Sequence, residues 1–436
     1  MPGRVPDDGS PEHIPRFLML KTLSSLAALL MAIAYLALGN GLFSTLISVR
    51  SNLQFGSTET TGAIMSSYFL GLVVGVFWCR EVIRKVGHIR AFAAFAALLS
   101  ILPLCHAFVI NPWAWVVFRI IAGLCMSGVF MVAESWINER ATNKIRGQVL
   151  AIYMITFYLA LGSGQFLINL DDMDKVNLFV LVSVLFSVAI IPISLTQSEA
   201  PAPVPKIRFG VIDLFRLSPL AVVGGATAGI TNAAFYGMGP VFAKDAGLPL
   251  SGVSIFMGVT IFGGLILQWP LGKLSDHFDR RHIVMVLAGI IAVTALGMVL
   301  LVDSDPMAIY ILTAIFGGAA FALHPVCTAH ANDFLDTHQR VNASGGLMVI
   351  YGCAAASGPL FAAMIMGMAG AKGLFYFIGS AQVLLFAFAV YRASSRKTIL
   401  RVFRRSPAFV PRMTTVIASN KNGVTDGKAE AFEDKP

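Results

Sequence analysis

The 436-residue chain is 56% apolar and only 13% charged, with a net charge of +9 and a mean hydropathy of +0.76, whereas a soluble domain carries about 25% charged residues. Its apolar residues come in long blocks without polar faces, which excludes a large soluble helical protein. The basic residues flank those blocks, so they do not point to nucleic acid, and the five cysteines (Cys79, Cys105, Cys125, Cys327, Cys353) lack CxxC spacing and read as small buried hydrophobes rather than metal or redox ligands.

Residues 1–21 are polar and proline-containing. No short apolar core with a small-residue cleavage site follows, so they read as a cytoplasmic tail, not a signal peptide. A helix needs about 20 apolar residues to cross the hydrocarbon core, and twelve blocks reach that scale. The first six are Thr22–Val49, Thr60–Cys79, Ile89–Val109, Trp113–Ile137, Gln148–Leu170 and Val176–Leu195. The polar stretch Gln197–Arg216 follows, with prolines at 201, 203 and 205. Beyond it lie Leu217–Ala243, Gly252–Leu271, Ile283–Val302, Met307–Ala331, Val341–Met366 and Gly373–Tyr391. The pattern predicts an all-α membrane protein of twelve transmembrane helices in two six-helix bundles, 22–196 and 217–392. A cytoplasmic linker, 197–216, joins them, and a basic tail, 393–436, is expected to be disordered.

The halves echo each other. Asn40-Gly-Leu-Phe43 recurs as Asn232-Ala-Ala-Phe235, offset by 192. Asn138-Glu139, Arg146 and Ser163-Gly164 recur as Asn332-Asp333, Arg340 and Ser357-Gly358, each offset by 194. A common order and offset fit the duplicated halves of an alternating-access transporter, with a site between them. With both termini inside, the inner segments short of the C-terminal tail hold seventeen Lys and Arg, and the outer loops hold four: Arg50, Lys175, Lys244 and Lys372. The positive-inside rule therefore predicts cytoplasmic termini. The acidic DDMDK run at 171–175 lacks the ligand pattern of a calcium loop.

The segment Gln268-Trp-Pro-Leu-Gly272-Lys-Leu-Ser-Asp276-His-Phe-Asp-Arg280-Arg281 resembles the G-x-x-x-D-R-x-G-R-R loop signature of the major facilitator superfamily, with Asp279 in place of its glycine. The first-half copy is degenerate: Arg80 and Arg84 replace the expected glycine and aspartate. Arg119-Ile-Ile-Ala-Gly123 resembles the family's R-x-x-x-G motif, linked to proton coupling in many members. Gly352-Cys-Ala-Ala-Ala-Ser-Gly358-Pro359 resembles, more weakly, a glycine-proline motif of drug antiporters, and Leu161-Gly-Ser-Gly164-Gln165 lacks the proline. Together with Ala133-Glu-Ser-Trp-Ile-Asn138 these stretches look like the YcaD-like branch. The resemblance implies the major facilitator fold and alternating access.

Arg119 lies well inside an apolar span, where arginine keeps its charge. Either it snorkels outward or locks two helices, or it lines the cavity, binding an anionic group or sensing a proton. Glu134 and His324 are the other coupling candidates, and His324-Pro325 is expected to interrupt the tenth span. The cavity candidates are Asn40, Tyr68, Arg119, Tyr153, Tyr158, Gln165, Asn232, Tyr236, Gln268, His324 and Tyr351; helix-to-helix bonding is the plainer role for buried amides. Arg84, Glu139, Arg146, Gly272, Asp276, Arg280, Arg281, Asp333 and Arg340 are assigned to gating, with Asp276 expected to touch a helix end or a nearby arginine. No GxxxxGK[ST] phosphate loop is present.

The expected protein is a secondary transporter of the bacterial inner membrane, not an enzyme. It needs no cofactor or metal and acts as a monomer. Its partners are a small, in one reading anionic, solute, membrane lipid and, in one alternative, protons. Uncoupled facilitation and a non-transporting scaffold or receptor are the other readings.

Overall fold

The computed structural model describes residues 13–142, 145–195, 210–303, 306–335 and 337–395. They form an all-α protein: α1 His13–Phe55, α2 Thr58–Val86, α3 His88–Phe108, α4 Pro112–Arg140, α5 Arg146–Phe166, α6 Asn177–Val188, α7 Ile190–Ser194, α8 Val211–Leu217, α9 Pro219–Asp245, α10 Leu250–His277, α11 Arg280–Leu301, α12 Pro306–Asn332, α13 Thr337–Ala369 and α14 Gly373–Ser395. Among the described residues, eleven spans are long and apolar enough to cross a membrane. Large apolar side chains such as Phe77, Ile266, Val293 and Leu384 stay exposed on their outer faces, a pattern that water would penalise and lipid accommodates.

The expected seventh span corresponds to α9, which is not among the eleven. Five glycines together with Thr227, Thr231, Asn232 and Tyr236 dilute its hydropathy. Most of α9 is buried against other helices, so its composition answers to close packing rather than to lipid.

Helix pairing repeats along the chain. In the first half α1 packs on α5 and α6, α2 on α4, and α3 on α4 and α6; in the second, α9 packs on α13 and α14, α10 on α12, and α11 on α12 and α14. The crossings use equivalent residues. A Cβ on Gly123 would strike the Tyr68 carbonyl oxygen, and one on Gly317 would strike that of Thr260. Gly164 and Gly358 likewise meet the Leu38 and Ile230 carbonyls. The residue offsets are 192 or 194 throughout, so the repeat in sequence is a repeat in packing.

The halves meet along α2·α13, α5·α10 and α1·α9. At the Arg50 end of the helices, Ser48 Oγ donates to the Gly237 carbonyl at 2.6 Å, the Leu360 amide to Ser66 Oγ at 3.0 Å, and Asn169 Nδ2 to Ser254 Oγ at 2.8 Å.

Some expectations are corrected. The tenth span is not interrupted at His324-Pro325, since α12 runs through Pro325 to Asn332. One missing amide donor is tolerated where neighbouring helices hold the chain. The expected 1–21 tail is helical from His13. The expected 197–216 linker becomes helical at Val211. The rest of that linker up to residue 209, residues 1–12 and the C-terminal tail from residue 396 lie outside the described residues.

Candidate functional site

Asn111 caps α4 by accepting from the Trp113 and Ala114 amides, and Pro112 opens its first turn. Arg119 follows two turns on and is only 1% exposed, so it neither snorkels nor faces solvent. Its guanidinium carbon lies 4.5 Å from the Tyr68 ring centroid and 5.5 Å from that of Phe43. Gly123 permits this geometry, because the close α2–α4 approach at Tyr68 needs a residue without a side chain. Asn40 sits beside the Tyr68 hydroxyl. Nε and Nη1 of Arg119 find no hydrogen-bond partner, and among the described residues no carboxylate pairs with it. The rings supply the compensation; a desolvated cation over an aromatic face gains about 2 kcal/mol.

The equivalent second-half crossing is neutral. Thr313 stands at the Arg119 position and Thr260 at the Tyr68 position, their hydroxyls 2.6 Å apart.

A second cluster lies on the seam between the halves. The Phe321 ring stacks between Tyr158 of α5 (5.7 Å, 17°) and Tyr236 of α9 (5.6 Å, 11°). His324, one turn after Phe321, packs against Tyr351 with ring centroids 4.6 Å apart. Tyr351 accepts from Asn232 Nδ2 at 3.2 Å, and Tyr153 lies within electrostatic reach of Tyr158 and Glu134. The Tyr153 hydroxyl, Asn232 Oδ1 and His324 Nδ1 have no hydrogen-bond partner among the described residues. Six of the expected cavity residues thus come together here: Tyr153, Tyr158, Asn232, Tyr236, His324 and Tyr351. Asn40, Tyr68 and Arg119 form the separate cluster in the first half. Gln268 is buried with Nε2 unpartnered, and Gln165 accepts from Thr45 at 2.5 Å.

The expected gating residues divide by half. Arg280 pairs with Asp333, with Asp276 at 3.2 Å, and donates to the Ala329 carbonyl at 2.7 Å. This knot ties the start of α11 to the ends of α10 and α12, and gives Asp276 its expected arginine. Gly272 is buried on α10 just above it. Arg281 does not join; only its backbone amide is engaged, by Asp279 Oδ1 at 3.0 Å. In the first half Arg84 and Lys85 pair with Glu81 of their own helix end. Arg146 donates to the Asn138 carbonyl at 3.3 Å and lies near Glu139. The Arg340 side chain lies outside what is described.

Phe43, Phe321 and the His88–Ser135 bond, 2.9 Å long and buried, escaped the sequence reading. His88 and Ser135 stand at the repeat positions of Arg280 and Ala329, so extending the offset would have found them. Phe43 entered only as the end of the repeated Asn40–Phe43 segment, and Phe321 is one of 32 phenylalanines in the chain that nothing local marks.

The family model described as Major Facilitator Superfamily matches residues 27–324 and 221–419. An MFS-type transporter of Enterobacter sp. (strain 638) is 27% identical over 378 residues, covering 85% of this chain and 96% of its own. The MFS-type transporter YcaD of Escherichia coli (strain K12 / DH10B) is 28% identical over 360 residues, covering 82% and 91%. Among solved structures, the nucleoside transporter NupG superposes with TM-score 0.69 at 15% identity, covering 86% of this chain and 99% of that one. A bacterial homologue of the human lysosomal transporter Spinster, inward-facing and unoccupied, gives 0.64 at 15%, covering 86% and 95%. At such identities the two structures speak for the fold alone.

Proposed function

The chain belongs to the Major Facilitator Superfamily, in its YcaD-like branch, and from that membership we propose that it carries a small polar solute through the seam between its halves by alternating access. Its activity is transport, not catalysis. In this reading α9 is the twelfth membrane span, and residues 22–196 and 217–392 move as two six-helix bundles about the 197–216 linker. The Arg280 end faces the cytoplasm with both termini, and the protein works as a monomer in the bacterial inner membrane. Cysteine labelling of intact cells tests the orientation: position 172 is reached from outside and position 198 is not.

The observation that carries the reading is the seam cluster. Helices from both halves bring four tyrosines, Asn232 and His324 together, and leave three buried polar atoms unpartnered. A closed core satisfies such atoms, so they suit a ligand with hydrogen-bonding edges and an apolar face. The bonds at Ser48, Ser66 and Asn169 then close the outer end, and the Arg280 knot braces the inner end of the second half. Arg119 keeps a fixed charge one helix crossing away, where it attracts an anionic group or biases a proton on Glu134 or His324.

An uncoupled facilitator is the second reading. It is favoured by one observation: Arg119 faces rings and not a titrating carboxylate. Reconstituted vesicles challenged with a metabolite and drug library, with and without a pH gradient, decide between them. Protein-dependent flux supports transport, a gradient effect supports coupling, and no flux for any compound contradicts both readings.

A further inference from the structure

At the Arg280 end, a shallow recess opens to the surface between the start of α9, the start of α11 and the ends of α12 and α14. Ser218, Leu220, Arg281, His330 and Arg392 line it. Two guanidiniums therefore share one recess, and among the described residues no carboxylate pairs with either. Arg281 also sits in the first turn of α11, where the helix dipole disfavours a cation.

Ser218 is the cap residue of the 27-residue helix α9, yet its side chain makes no capping bond. It is 3% exposed, and its Oγ has no hydrogen-bond partner. Pro219, the first helical residue, has no N–H, so the free first-turn donors are the amides of Leu220 and Ala221. A buried hydroxyl, the start of α9 and two guanidiniums that no carboxylate pairs among the described residues thus line one recess. Such a set recognises a tetrahedral oxyanion.

We propose that this recess is a phosphate-binding site, held by Arg281, Arg392, Ser218 and the first turn of α9, with a lipid headgroup or free phosphate as the source. The lead-in helix α8 leaves Ile212 (68%) and Phe215 (47%) exposed while burying Leu214, which suits a short helix lying at a membrane surface. That placement favours the lipid as source.

The test uses the full chain purified in detergent and native mass spectrometry. The probes are dioctanoyl-phosphatidylglycerol, dioctanoylglycerol, which lacks the phosphate, and inorganic phosphate. The phospholipid is expected to bind about tenfold or more tighter than the diacylglycerol, with R281Q/R392Q losing about that factor. S218A keeps both charges and should lose severalfold. R90Q, which removes an exposed charge at the same end of the other half, should leave affinity unchanged. Displacement of the lipid by millimolar phosphate shows that the free anion occupies the same site; failure to displace it assigns the site to the headgroup. Equal binding of phospholipid and diacylglycerol, or undiminished binding by both R281Q/R392Q and S218A, overturns the proposal.

Discussion

Where α2 crosses α4, a guanidinium lies over two aromatic rings; where α10 crosses α12, two threonine hydroxyls meet instead. At both crossings a glycine lets the helices touch, Gly123 against the Tyr68 carbonyl and Gly317 against that of Thr260. At the Arg280 end the asymmetry reverses. The second half holds a charged knot of Arg280, Asp276 and Asp333, and the first half replaces it with a neutral His88–Ser135 bond. A duplicated scaffold thus keeps a buried guanidinium in the membrane interior in one half and a buried one tying three helix ends together in the other, while the Glu81 pairs of the first half stay within one exposed helix end. A buried charge is expensive to keep unpaired, so an unpaired interior charge points to function, while a paired one at a helix end serves to hold helices together.

The largest expected effect follows from Arg119. R119Q should lower transport by about thirtyfold, the equivalent of about 2 kcal/mol for a desolvated cation over rings. T313V at the equivalent position should leave transport within about twofold, since it removes one neutral hydrogen bond. R119K separates charge from planar stacking: retained coupled flux makes charge sufficient, and lost flux makes the guanidinium plane necessary. Flux into vesicles, normalised to folded protein, is the readout. Near-normal flux by R119Q removes the functional distinction between the crossings.

The glycines sharpen the same contrast. G123A and G317A should each cost about 1–3 kcal/mol by overpacking against a backbone carbonyl, measured as a loss of thermal stability. G123A should also impair transport beyond its stability loss, because it displaces Arg119 from Tyr68. Equal flux for the two variants at equal folded fraction breaks the link.

Breaking the knots is the next smaller effect. D333A leaves a 7%-exposed Arg280 side chain facing a half-lost partner set and should cost about 1–2 kcal/mol, less than a fully buried pair because Asp333 is one-third exposed. S135A should cost about 1 kcal/mol for one neutral bond. Thermal unfolding in detergent compares them; a larger loss for S135A contradicts the ranking.

Arg119 was legible in the sequence because a charge in an apolar run stands out, and the 192–194 offset exposed the repeat. The partners of Arg119 were not legible. Phe43 and Tyr68 come from two other helices, and only their crossing angles bring them to it. Phe321 carried no signal, being one apolar residue in an apolar helix, though it organises the seam. The expected break at His324-Pro325 failed because a proline rule describes an isolated helix and α12 is held on several sides. The Arg280 knot was anticipated in its members, and Arg281 was not separable from Arg280 by spacing alone.

The smallest effect lies in the loops at the Arg50 end. In the first half Asp171 accepts from Lys175 Nζ at 2.7 Å, and from Asn177 and the Asp172 amide, which hold its carboxyl down at about 2. A depressed acid stabilises the fold above its ordinary value near 3.8, and that contribution is lost as pH falls toward 2. In the second half the Lys372–Asp303 pair, at 2.7 Å, raises the lysine. A raised lysine stabilises below its ordinary value of 10.5, and that contribution is lost as pH climbs through the raised one. D171N should therefore flatten the acid limb of a melting-temperature profile and, because Asp171 also raises Lys175, part of the alkaline limb, whereas D303N should flatten only the alkaline limb. Both changes are small because the groups are exposed.

The central claim is that both ends of the same helices open in turn about the seam. Spin labels at positions 172 and 251 report the outer end, and labels at 85 and 277 report the inner end. In vesicles, with the solute that supports flux, the account predicts two distance populations at each end that shift in opposite senses. A single unchanging distribution at both ends, with and without that solute, would contradict it.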